Sequence, residues 1–223
     1  PVIVDINDDC NINPESIEKA ITKKTKAIIP VHFTGLMCDM DRICDIAKRY
    51  KIHVIEDAAQ AYGAEYKSKK SGSFSSIGIF SMNTMKVLGG FGESGAAVTD
   101  NPEYYEKLKI LRYTGTKSDP TKIISNEAIY ASLNHKIDTV QAAMLLVMMK
   151  RLPGRMMRRQ EIADRYNDAL SNIVICPTFI QGDTHALYTY VIQADRRDEL
   201  MSYLNENGIE TKIQQNKLIY DHY

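Results

Sequence analysis

Apolar positions in the first half of the chain follow two alternating periods. Lys26-Ala-Ile-Ile-Pro-Val31, His53-Val-Ile-Glu-Asp57 and Ile77-Gly-Ile-Phe-Ser81 are short apolar runs, the pattern of strands buried in a sheet. Between the first two, Met40, Ile43, Ala47 and Tyr50 recur at helical spacing, which predicts a crossover helix. Strand, helix and strand in that order predict a βαβ unit, with parallel strands and helices covering the sheet. Asn13 as N-cap and Pro14 at the first helical position predict an earlier helix carrying Ile17, Ala20 and Ile21 on one face. Val2-Ile-Val4 and Ala96-Ala-Val-Thr99 read as further strands, and Pro102 opens a helix through Leu111.

Beyond this point the pattern changes. The polar, breaker-containing stretch 112–126 reads as a long loop, and its place near the glycine-rich segment makes it a candidate lid. Met144, Met148 and Met149 suit a core or a subunit contact better than a binding surface. A helix over 161–170 is expected to lead into a smaller domain. There Tyr188-Thr-Tyr-Val-Ile192 alternates as a strand, and a helix over 197–207 is closed by Gly208. The fold class is therefore α/β, with a mainly parallel sheet flanked by helices in a large domain over 1–152 and a small α+β domain over 153–223.

The 223 residues suffice for a buried core without staples. The 28 basic and 28 acidic residues cancel, which argues against nucleic acid or an anionic membrane as partner and favours a small molecule. Cys10, Cys38, Cys44 and Cys176 lack paired Cys-x-x-Cys spacing. They read as small buried hydrophobes rather than zinc ligands or disulfides, and a reducing cytoplasm fits them best. No apolar run approaches a membrane span. The chain opens at Pro1, within a strand pattern, and so reads as a fragment.

The chemistry concentrates where apolar runs end. After Ile77-Gly-Ile-Phe-Ser81 comes a polar turn holding Lys86, then the glycine-dense Gly89-Gly-Phe-Gly-Glu-Ser-Gly95. A strand emerging at its carboxyl end, one lysine and glycines that allow close backbone approach suit an anchored phosphate cofactor. Taken alone, the same stretch reads as a surface loop with an ordinary lysine. Gly90-Phe-Gly-Glu-Ser-Gly95 also matches Gly-x-Gly-x-x-Gly, but a dinucleotide fingerprint must open a helix and here a strand pattern follows. Asp57 closes the preceding run, where the plain alternative is a carboxylate capping a turn. His32 follows the first run; a lone loop histidine is more often structural, with contact to cofactor or substrate as the sharper alternative. Arg155, Arg158 and Arg159 form a basic cluster, mostly solvated helix face, with contact to a nucleotide diphosphate as the sharper alternative.

Glu56-Asp-Ala-Ala-Gln60-Ala-x-Gly63, Ser81 five residues before Lys86, and Gly92-Glu-x-Gly95 occur in that order. Together they resemble the pyridoxal-phosphate sugar aminotransferases of the DegT/StrS type, which have the type I aminotransferase fold. Asn134, Gln141-Ala-Ala and His185-x-x-Tyr188 extend the resemblance over nearly the whole chain. Lys136, Ile137 and Gln215-Asn-Lys217 depart from it. The resemblance implies that Lys86 forms the imine with pyridoxal 5'-phosphate and carries protons. It also implies that Asp57 holds the ring nitrogen protonated, Gln60 lies beside the ring oxygen, Ser81 bonds the phosphate, and Asn134 reaches the cofactor of a neighbouring subunit. No metal is implied. The expected substrates are an amino-acid donor, commonly glutamate, and a nucleotide-linked keto sugar, handled by a homodimer with shared sites in polysaccharide or antibiotic sugar biosynthesis. A sugar dehydratase relative is an alternative that Lys86 argues against. A non-catalytic binding or assembly fragment is another, since the family's first phosphate loop lies in an N-terminal part this sequence does not contain. The segment alone is expected to be inactive.

Overall fold

The computed structural model describes residues 1–118, 121 and 126–213. Its elements are α1 (Pro14–Ala20), β1 (Ala27–Ile28), α2 (Met40–Tyr50), β2 (His53–Asp57), β3 (Glu65–Tyr66), β4 (Lys69–Lys70), β5 (Ile77–Ser81), β6 (Gly95–Val98), α3 (Pro102–Arg112), β7 (Thr116–Ser118), β8 (Asn126–Ala128), α4 (Thr139–Leu170) and α5 (Arg197–Glu206). The principal sheet has the order β1-β2-β5-β6. The first two pairings are parallel, and β6 returns antiparallel beside β5. The βαβ reading thus holds, and the glycine-rich segment does lead into a strand.

Local signals placed the helices well. Asn13 Oδ1 accepts from the Glu15 and Ser16 amides at the start of α1. Asp39 caps α2 through the Arg42 amide at 3.2 Å, and Asn101 caps α3 in the same way. Met40, Ile43, Ile46 and Ala47 of α2 are buried with Ile17, Ile28 and Val54 in one core. Burying each large side chain of this kind contributes about 1.5–3 kcal/mol.

Two expected strands do not form. Val2-Ile-Val4 and Tyr188-Thr-Tyr-Val-Ile192 lie outside any strand, and near the second only an isolated bridge, Ile175 to Gln193, is made. Alternation supplies a face, but a strand also needs a neighbouring backbone to pair with. Conversely, β7 and β8 pair antiparallel within the stretch expected to be loop. Of the candidate lid over 112–126, residues 119–120 and 122–125 lie outside the described residues, and Gln215-Asn-Lys217 lies outside them too.

Helix α4 runs for 32 residues and continues through Pro153. Its inward side chains, Leu145, Leu152 and Ala163, are buried. Much of the rest of its first half is apolar and exposed, with Val140 66% and Leu146 62% accessible. Among the described residues no helix is long and apolar enough to cross a membrane. All four cysteines are free.

Candidate active site

Because β1, β2 and β5 run parallel, their carboxyl ends share one edge. Backbone bonds lock the chain as it leaves that edge. Asp57 N donates to Pro30 O at 2.9 Å, His32 N to Asp57 O at 3.1 Å, and Ala58 N to Ile79 O at 2.9 Å. From β5 the chain enters a tight turn in which Met85 N donates to Asn83 Oδ1 and Lys86 N to Asn83 O. Val87 and Leu88 follow, 2% and 0% exposed. They anchor the turn in the protein while Lys86 itself stays half-buried.

Lys86 Nζ lies 3.5 Å from Gln60 Oε1 and 4.9 Å from the centre of the Tyr188 ring. Gln60 is oriented in turn, since its Nε2 donates to Phe33 O in the loop after β1. Three exit loops of one sheet edge and a distant aromatic therefore converge on one amine. Asp57 ends β2 at the same edge; its Oδ1 accepts from Ala59 N at 3.0 Å, and Oδ2 makes no hydrogen bond among the described residues. Among the described residues Ser81 Oγ accepts one long bond, 3.4 Å, from Asn83 N and donates none, so its hydroxyl hydrogen has no acceptor there. Asn134 stands apart. It bridges to Tyr113 and accepts from Lys136 N, with no hydrogen bond to the residues around Lys86 in this chain.

The sequence reading missed the partners that hold this edge rigid. Glu56, next to Asp57, is fully buried and accepts from Gly72 N at 2.7 Å, Phe74 N at 2.8 Å, Ser75 Oγ at 2.9 Å and His32 Nε2 at 3.2 Å. The Cys38 amide donates to His32 Nδ1, which places the ring hydrogen on Nε2, facing Glu56. His32 is thus structural, as expected. Burial alone would raise the Glu56 carboxyl, but the bonds from His32, Gly72 and Phe74 outweigh it and hold the group below its ordinary range. A signal was available: in His53-Val-Ile-Glu-Asp57, strand alternation puts Glu56 on the same face as buried Val54. Gln141, part of the Gln141-Ala-Ala motif, has a role its sequence did not predict. Its Oε1 accepts from Phe91 N at 3.1 Å, and Gly92 leaves room for its amide, so α4 latches the glycine-rich loop after Lys86. Arg158 pairs with Glu161 on the exposed face, whereas Arg159 turns inward to the Leu187 carbonyl.

A cavity of about 830 Å³ lies between Tyr62, Phe80, Met149, Leu152 and Met156. It excludes Lys86 and Asp57, so the site is marked by converging chemistry rather than by volume.

The order β1-β2-β5-β6 with its parallel pairings, and the likeness to solved aminotransferases, give this chain a type I aminotransferase-like fold with a mainly parallel sheet. The chain belongs to the DegT/DnrJ/EryC1/StrS aminotransferase family, whose profile matches residues 1–222. It is 39% identical over 218 residues to the "Pleiotropic regulatory protein" of Geobacillus stearothermophilus, covering 96% of this chain and 57% of that protein. It is 36% identical over 214 residues to the dTDP-3-amino-3,4,6-trideoxy-alpha-D-glucose transaminase of Streptomyces venezuelae, covering 95% and 55%. The crystal structure of a DegT DnrJ EryC1 StrS aminotransferase from Brucella abortus superposes with a TM-score of 0.89 at 34% identity, over 100% of this chain and 62% of that one. The chain thus spans somewhat more than half the length of the relatives it matches.

Proposed function

We propose that this chain carries the cofactor site of a pyridoxal-phosphate-dependent aminotransferase that moves an amino group from an amino acid, glutamate, to a nucleotide-linked keto sugar. The observation behind this reading is the meeting of Lys86 with Gln60 at the sheet edge where Asp57 ends β2. The donor set fits the cofactor. Among the described residues, Asp57 offers an unpaired carboxylate oxygen, Ser81 a hydroxyl hydrogen without an acceptor, Gln60 an oriented amide and Lys86 a half-buried amine. When bound, pyridoxal phosphate supplies an aldehyde that accepts the amine and a ring that withdraws electrons.

In this reading the protein's own groups do the following. Lys86 Nζ would hold the cofactor through its aldehyde and, as a free amine, would take up and return the proton that transamination moves. The Asp57 carboxylate keeps the ring nitrogen protonated by opposite charge. Ser81 donates to the phosphate, and Gln60 lies beside the ring oxygen. Asn134 serves the site of a second copy, making the protein a homodimer with shared sites. Exposed apolar residues around that asparagine, Leu133 73% and Val140 66% accessible, support such a contact. We place a boundary between large and small domains at 152/153 and the protein in the reducing cytoplasm. The acceptor is taken from the transaminase named above.

A second reading, a non-catalytic member of the same fold, is favoured by the regulatory name of the Geobacillus relative. The two separate on a half-reaction. With glutamate and no acceptor, the full-length protein should convert its visible cofactor band to that of the aminated form, and Lys86→Ala should not. A band indifferent to glutamate would favour the second reading.

A further inference from the structure

Tyr188 is about a hundred residues from Lys86 in sequence, and a strained, heavily tied segment brings the two together. Leu187 has φ 51, a left-handed conformation that costs a side-chain-bearing residue and persists only where the surroundings over-determine it. Here they do. Arg159 Nη1 donates to Leu187 O at 2.6 Å, and Leu187 N donates to His185 Nδ1 at 2.9 Å. Ala186 N donates to Gly35 O and Thr189 N to Thr34 O, at 2.9 and 3.2 Å. Gly35 has φ 99, and a Cβ there would lie 2.9 Å from Tyr188 N, so only glycine lets the loop after β1 come this close. The ring delivered by these ties lies 4.9 Å below the Lys86 ammonium, within the range of cation–π attraction. Gln60 Oε1 accepts from the same ammonium at 3.5 Å.

We propose that Tyr188 is a positioning residue that holds Lys86 as the released ammonium. Its ring face stabilises the free, charged lysine relative to the lysine joined to the cofactor, and so favours hand-over of the cofactor to an incoming amine. This rests on Lys86 being the anchor. In the exchange, the carbon–nitrogen double bond to Nζ breaks as that to the incoming nitrogen forms. The three hydrogens of the incoming ammonium end on Nζ, so charge and atoms balance. A ring that binds only the released ammonium pulls this exchange toward release, by about threefold to thirtyfold for a cation over a tyrosine face.

The test uses the full-length holoenzyme with methylamine as the incoming amine and no turnover. Borohydride trapping followed by mass spectrometry gives the ratio of cofactor fixed on Lys86 to cofactor fixed on methylamine. Tyr188→Leu should shift that ratio toward Lys86 by the stated factor, and Tyr188→Phe, which keeps the ring, should match the wild type. A fluorinated phenylalanine at 188, which keeps the shape but weakens the ring face, should shift it in the same direction as leucine. This last variant also covers the case in which leucine disturbs the fold. An unchanged ratio in the fluorinated variant, a shift toward methylamine, or a Phe variant that moves as far as Leu would overturn the role of the ring while leaving Lys86 as anchor. Failure of the wild type to yield any Lys86 adduct would instead remove the anchor reading and this proposal with it.

Discussion

At the scale of single residues, two carboxylates adjacent in sequence do opposite work. Asp57 Oδ2 has no hydrogen-bond partner among the described residues, and in the proposed reading it faces a cationic ring; Glu56 is saturated with donors. Removing one member of a buried ion pair costs about 3–5 kcal/mol, because the other charge is stranded. Asp57→Asn should therefore lose roughly 10²–10³-fold in half-reaction rate while its thermal midpoint stays near wild type, as stopped-flow and melting measurements can check. Near-normal turnover would remove Asp57 from the ring nitrogen. His185 gives a residue-scale pH effect. It is buried, its Nδ1 already accepts from Leu187 N, and desolvation lowers its pKa from 6.5 to about 4. A histidine depressed in the folded state contributes stability that is complete above pH 6.5 and lost as pH falls toward 4. Between these limits unfolding free energy should drop by up to about 3 kcal/mol. Urea titrations of the wild type against His185→Gln should show the variant's curve flatter in that window.

At the scale of elements, the Glu56 hub ties the loop after β1, the end of β2 and the lead-in to β5. Those segments carry Gln60's partner Phe33, Asp57 and, through β5, Lys86. Glu56→Ala removes the acceptor of four donors, Gly72 N, Phe74 N, Ser75 Oγ and His32 Nε2, and should destabilise the protein by about 3–5 kcal/mol at neutral pH. The Glu56 carboxyl titrates below its ordinary 4.5. Its contribution is therefore complete above that pH and falls as acid protonates it, so the gap between wild type and variant should narrow as pH falls below 4.5 in denaturant melts. A gap that stayed constant down to pH 3 would contradict this assignment. The elements of this edge were legible because their signals are local: the cap at Asn13, the helical spacing of Met40, Ile43, Ala47 and Tyr50, and apolar runs ending at Asp57 and Ser81. Glu56's donors were not, because Gly72, Phe74 and His32 reach it across 16 to 24 positions of sequence. Tyr188 was read as part of a strand because alternation records a face and not a pairing partner. Its contact with Lys86 depends on a left-handed Leu187 that no periodicity encodes.

At the scale of the whole molecule, the account requires two chains per site. Asn134 bridges to Tyr113 and accepts from Lys136 N, away from Lys86 among the described residues, and exposed Leu133 lies beside it in sequence. If it serves the neighbour, two inactive variants should complement. A mixture of Lys86→Ala and Asn134→Ala subunits, dissociated and reassembled, forms hybrids with one intact site, restoring about a quarter of wild-type activity. Own-chain action of Asn134 would give no recovery. The central claim, however, is that one lysine among the chain's basic residues carries the cofactor. Borohydride reduction of the full-length holoenzyme, followed by peptide mass mapping, tests it most directly. The account predicts a single reduced pyridoxyl phosphate adduct on the peptide containing Lys86; an adduct on another lysine, or no adduct at all, would contradict it.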